Sequence, residues 1–142
     1  MFSLFVFMES LLIICLLLVS INDIKKRKIP NSLVVAIYLI GILNIISGRV
    51  SYADSIAGLS ILPVIILSVS KMCNFKVGMG DIKLISAIGF CLGLLSQMFV
   101  VSIGMSVSLI YILIKRKKTI ALGPFIGLGT FITLIMSGNI VK

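Results

Sequence analysis

Histidine and tryptophan are absent from this 142-residue chain, proline occurs three times, and only four residues are acidic. Without histidine the chain lacks the commonest general base and the commonest metal ligand. Its three cysteines, Cys15, Cys73 and Cys91, form no CxxC pair and no metal-ligand spacing. Cys15 and Cys91 fall inside apolar runs, where packing is their simplest use. No metal, no organic cofactor and no disulfide framework is therefore expected. Charge of either sign is scarce, at 12% of residues, against 60% hydrophobic residues and a mean hydropathy of +1.29. A soluble domain of this length needs a polar shell, and the residues to build one are missing.

What the chain has instead is a series of apolar runs long enough to cross a bilayer. Cutting at charged and turn-rich stretches gives six: Leu4–Ile21, Ser32–Ile46, Ser55–Val69, Ile82–Leu95, Gln97–Ile114 and Ile120–Ser137. The expected fold is all-α, a polytopic membrane helix bundle of about six transmembrane helices, with residues 1–142 forming one membrane-embedded domain. The break between the fourth and fifth runs rests on Gly93, Ser96 and Gln97, and charge placement tests it. With six crossings, 11 of the 13 basic residues collect on one side: Lys25, Lys26, Arg27, Lys28, Lys71, Lys76, Lys83 and Lys115–Lys118. Arg49 and Lys142 fall on the other. The positive-inside rule then turns the three basic loops to the cytoplasm. Merging the fourth and fifth runs would put the Lys115–Lys118 cluster outside.

The formal charge of +9 does not imply nucleic acid, because the basic residues sit in loops between apolar runs and no soluble basic face exists to form a groove. Those loops suit an anionic lipid surface instead. The N-terminus has no basic n-region, carries Glu9 and precedes its basic cluster, so it reads as a permanent helix rather than a secretory signal. Ser32–Ile46 would span only about 22 Å at ~1.5 Å per residue, short of a hydrocarbon core of about 30 Å. Such a segment needs flanking residues or a locally thinned bilayer. Gly89/Gly93 and Gly123/Gly127, each spaced by four, fit close helix packing, and Pro63 is expected to kink the third helix.

The acids divide two and two. Glu9 and Asp54 fall near the outer face, and Glu9, a turn or two inside the first helix, reads either as a functional group or as an interfacial one. Asp23 closes the first helix and Asp81 opens the fourth, so an even number of crossings separates them and they share a face. An acid at a helix C-terminus opposes the macrodipole, so Asp23 occupies a disfavoured position. Pro30 is placed to begin the second helix, where its missing amide is harmless. Asp81 follows Gly78-Met79-Gly80 and reads either as an N-cap or as a carboxylate whose flanking glycines admit another backbone. Two carboxylates at one membrane face can share a proton, one acting as base on water while the other donates to a peptide carbonyl. Which is base and which is acid stays open, and the pair is treated as one coupled unit.

Three segments carry a resemblance. Asp23, followed six residues later by Ile29-Pro30-Asn31, resembles the first motif of the type IV prepilin peptidases, membrane aspartyl proteases of the GxGD kind. Gly78-Met79-Gly80-Asp81-Ile82-Lys83-Leu84 resembles their second, and Leu122-Gly123-Pro124-Phe125 resembles their Phe-Gly-Pro-Phe segment with Leu122 at the first place. The resemblance implies that Asp23 and Asp81 are catalytic, with Gly78, Gly80, Lys83, Pro30 and Asn31 in support. It implies that the substrate is a prepilin or pseudopilin, cut after a glycine at the cytoplasmic face of the cell membrane. Larger bacterial members carry an N-terminal cysteine-bearing region associated with methylation. This chain starts directly at the first helix, so peptidase activity without methyl transfer is expected, as in the short members serving tight-adherence or archaeal-type pilus systems. A GxGD protease of the signal-peptide-peptidase kind, or a non-enzymatic membrane assembly subunit, are the alternatives. The former lacks the Ile-Pro-Asn motif, and the latter would tolerate loss of either aspartate.

Overall fold

The computed structural model describes residues 2–72, 78–115 and 121–140, with side chains described over 6–136 of these. Cys73, Lys76, Arg116, Lys117, Lys118, Ile120 and Lys142 lie outside the described residues. Six helices form, α1 (Phe2–Lys26), α2 (Asn31–Ile46), α3 (Tyr52–Met72), α4 (Met79–Leu92), α5 (Leu94–Lys115) and α6 (Gly123–Ile140), with no strand among the described residues. The chain is an all-α membrane protein. By length and composition α1, α3 and α5 can each cross a bilayer, whereas α2 and α6 are shorter apolar helices. The 14 residues of α4 rise only about 21 Å at ~1.5 Å each.

Several ends differ from the sequence expectation, each for a local reason. Helix α1 continues past Asp23 to Lys26 and closes on Arg27, whose φ of 49° and N–H to the Asp23 carbonyl (2.9 Å) form a left-handed cap. Pro30 is the N-cap of α2 rather than its first helical residue. Gly78 is the N-cap of α4, so Asp81 is its third residue and not the cap. Gly93 alone separates α4 from α5, at φ 83° and ψ 170°, a conformation open essentially to glycine. Ser96 and Gln97 therefore lie inside α5. Gly93 makes the break and does not pair with Gly89 in packing.

The described residues group into two compact units. The first comprises residues 1–28 and 99–142, hence α1, α6 and α5 from Phe99 onward. On α1, Leu12, Cys15, Leu16, Val19 and Asp23 are buried at helical spacing. On α6, Ile126, Thr130, Thr133 and Leu134 are buried likewise. Apolar attraction is no guide to packing in lipid, so close backbone approach takes its place. A Cβ at Gly129 would meet the Val100 carbonyl, and one at Gly104 would lie 3.0 Å from that of Phe125.

The second unit, residues 29–98, holds α2, α3, α4 and the first turn of α5. Here α3 and α4 touch through Gly58 and Gly89, each of which faces the other's carbonyl. The α2 residues Val34, Ile37, Ile40, Gly41 and Asn44 are buried at helical spacing. Helix α3 runs through the buried Pro63. Proline has no N–H, so the carbonyl four residues earlier, that of Leu59, loses its helical donor. Ser86 of α4 supplies one, its hydroxyl lying 2.9 Å from that oxygen, and Tyr38 of α2 donates to Ser86 in turn at 3.1 Å. Helix α4 also ends on a borrowed donor, with the buried Asn44 amide 3.1 Å from the Cys91 carbonyl. These side chains follow from the requirement that backbone polar groups inside a bilayer be satisfied within the protein.

Candidate active site

The structure assigns the two aspartates to different units, Asp23 to the first, near the C-terminal end of α1 and against the first residue of α6, and Asp81 to the second, in the first turn of α4. Asp23 is only 6% exposed. Its Oδ2 accepts the amide N–H of Gly123, the first residue of α6, at 2.8 Å. The N-cap of α6, Leu122, offers no side-chain acceptor, so the amide would otherwise be an unpaired helix-end donor. A carboxylate from α1 thus caps α6 from a distance of 100 residues in sequence. This answers the disfavoured placement at the C-terminal end of α1. The acid opposes one helix dipole but faces the positive end of another.

Asp81 is half-buried in the first turn of α4, where an acid is favoured by the helix dipole. Its amide bonds the Gly78 carbonyl at 3.1 Å. A Cβ at Gly78 would stand 3.0 Å from Asp81 Oδ2, so that glycine leaves room for the carboxylate to turn back along its own strand of chain. Gly80 faces the Ile29 side chain, which a Cβ would meet at 3.4 Å. The neighbour admitted by Gly80 is thus the chain's own Ile29, from the Ile-Pro-Asn segment. Lys83 Nζ lies 3.5 Å from Asn31 Oδ1 at the exposed surface.

Within the second unit the structure therefore brings Gly78, Gly80, Asp81 and Lys83 together with the segment holding Pro30 and Asn31, joining two motifs about fifty residues apart. Glu9 lies half-buried within α1, 14 residues before Asp23. Gly123 was legible as part of a motif but not as a partner of Asp23, because a backbone amide has no signature of its own. Beside the Asp23–Gly123 contact, α1 and α6 bound an apolar groove of about 460 Å³, lined among others by Leu16, Leu17, Ser20, Pro124, Gly127 and Phe131.

No curated protein and no solved structure matches the chain significantly. The profile of the type IV leader peptidase family does match, over residues 10–113. That span is about three-quarters of the chain and contains Asp23, the Ile-Pro-Asn segment and the whole of Gly78–Lys83. This helical membrane protein belongs to the type IV leader peptidase family.

Proposed function

We propose that the protein is an aspartic endopeptidase that removes the leader of type IV prepilins or related pseudopilins at the cytoplasmic face of the cell membrane. The observation that carries this reading is the family match, whose span includes both Asp23 and Asp81. In this scheme hydrolysis needs one of the two carboxylates ionised and the other protonated. The ionised member takes a proton from water as the water oxygen attacks the scissile carbonyl carbon. The protonated member gives its proton to the carbonyl oxygen. Collapse of the tetrahedral intermediate breaks the C–N bond: the carboxyl that took the water proton gives it to the leaving amine, while the other carboxylate takes back a proton from one hydroxyl of the intermediate, restoring the starting state.

The apolar groove beside Asp23 suits the hydrophobic stem that follows a prepilin leader, and the basic loops keep the reacting face against anionic lipid. Lys83 and Asn31, with Gly78, Gly80 and Pro30, hold the segment around Asp81 in shape for the substrate. Neither a metal nor nucleic acid enters this scheme. The test is cleavage of a prepilin in membranes containing Asp23→Asn or Asp81→Asn protein. Each single change should abolish cleavage, and normal cleavage by either variant would overturn the reading.

A further inference from the structure

We infer that the amide of Gly123 is the positioning group for Asp23, holding Oδ2 so that Oδ1 is the oxygen presented to water. The inference rests on the reading of Asp23 as one of the catalytic pair. At the start of α6 the donors can be followed one by one. Pro124 has no N–H. The amides of Phe125 and Ile126 both bond the Leu122 carbonyl, at 3.1 Å each. Gly123 is therefore the one residue among these four whose amide is directed out of the helix, and it reaches Asp23 Oδ2 at 2.8 Å in a buried contact. Asp23 Oδ1 makes no hydrogen bond to any described residue.

The absence of a side chain at position 123 belongs to the same arrangement. A Cβ there would lie 2.7 Å from Oδ2 and 3.2 Å from both Cβ and Cγ of Asp23, so any other residue displaces the carboxylate. Gly-Pro at the start of α6 thus does two things. Glycine lets the acid rest on the helix end, and proline removes the next amide, leaving a single donor to set its orientation. A carboxylate held by one oxygen keeps a defined lone-pair direction on the other, as proton transfer in a fixed geometry requires.

The test replaces the Gly123 residue by glycolic acid, converting its amide to an ester in the full-length protein, so that the N–H is lost with almost no change of shape. With a prepilin substrate, kcat should fall about 10- to 100-fold, the range for a hydrogen bond to a charged group, while KM stays within about twofold. Gly123→Ala, which keeps the amide but pushes the carboxylate away, should lower kcat at least as far per folded molecule. Folded protein is quantified for each variant by size-exclusion chromatography. If kcat per folded molecule were unchanged in the ester variant, or in Gly123→Ala should the ester not fold, the inference would be overturned. Asp23→Asn in the same preparation separates the two levels. An inactive Asp23→Asn beside a fully active ester variant removes only the role of Gly123, whereas an active Asp23→Asn removes the catalytic reading as well.

Discussion

The hydroxyl of Ser86 donates to the carbonyl of Leu59, the oxygen that Pro63 deprives of its helical partner. Two helices of the second unit are thereby joined where Pro63 leaves a gap in the hydrogen bonding of α3. Ser86→Ala should destabilise the protein by about 1–3 kcal/mol, the penalty for a backbone acceptor left unpaired where lipid offers no replacement donor. In a Pro63→Ala background the helix regains its own donor, and the same serine change should have a much smaller effect. A double-mutant cycle on unfolding in detergent decides the matter, and equal effects in both backgrounds would show the coupling is absent.

Asp23 caps α6 through the Gly123 amide, and on the proposed reading it has a second, separable duty in hydrolysis. Asparagine keeps an acceptor oxygen for the Gly123 amide but cannot exchange a proton. Asp23→Asn should therefore fold normally and cleave nothing. Asp23→Ala should lose activity and also about 1 kcal/mol of stability, the usual effect of deleting a cap. Thermal unfolding of the two variants side by side checks this, and equal midpoints would count against the cap.

Gly58 and Gly89 let α3 and α4 touch through backbone. Alanine at either position places a methyl group against the opposite carbonyl, and overpacking of this kind typically costs about 1–3 kcal/mol. Both single substitutions should lower the unfolding midpoint. The double substitution should fall short of the sum of the two, because one separation of the helices relieves both clashes.

Gly127 lines the groove beside Asp23, and a Cβ there would stand 3.1 Å from Ser20 Oγ. Gly127→Leu fills the groove at this point. Steady-state cleavage should show a several-fold higher KM for a prepilin with its full apolar stem. If KM stayed at the parental value, substrate would not use this groove.

Gln97 is fully buried in α5, with its amide 2.8 Å from the Ile85 carbonyl and its Oε1 without a hydrogen-bond partner. Methionine has nearly the same shape and leaves no orphan acceptor, so Gln97→Met should change stability by less than about 1.5 kcal/mol. Gln97→Glu buries a carboxylate in the same place and should lower the yield of folded protein sharply at neutral pH. Expression and unfolding in a common detergent compare the two.

The helices were legible to within a few residues because polar side chains and loops are excluded from hydrocarbon, and the apolar runs record that exclusion directly. Their ends were less so. Asp81 reads as a natural N-cap, yet α4 starts earlier because Gly78 accepts the amides of Asp81 and Ile82 through its carbonyl and needs no side chain. Gly93 and Gly89 share the spacing of a packing pair, but one has a positive φ and the other meets Gly58. Spacing along a helix does not distinguish these uses.

The sequence by itself determined that this is a membrane protein with helical spans and that these 142 residues offer no histidine, and it singled out Asp23 and Asp81 as the candidate acids. Composition and local pattern suffice for those conclusions, since lipid solvation acts on every residue individually. Only the tertiary structure decided that Asp23 rests on the amide of Gly123, that Ser86 completes the backbone at Pro63, and that Asn44 closes the end of α4. Each of these joins a side chain to a backbone group of another helix. Every residue except proline carries the same N–H and every residue the same carbonyl, so nothing in the order of side chains says which one will be left unpaired and in reach.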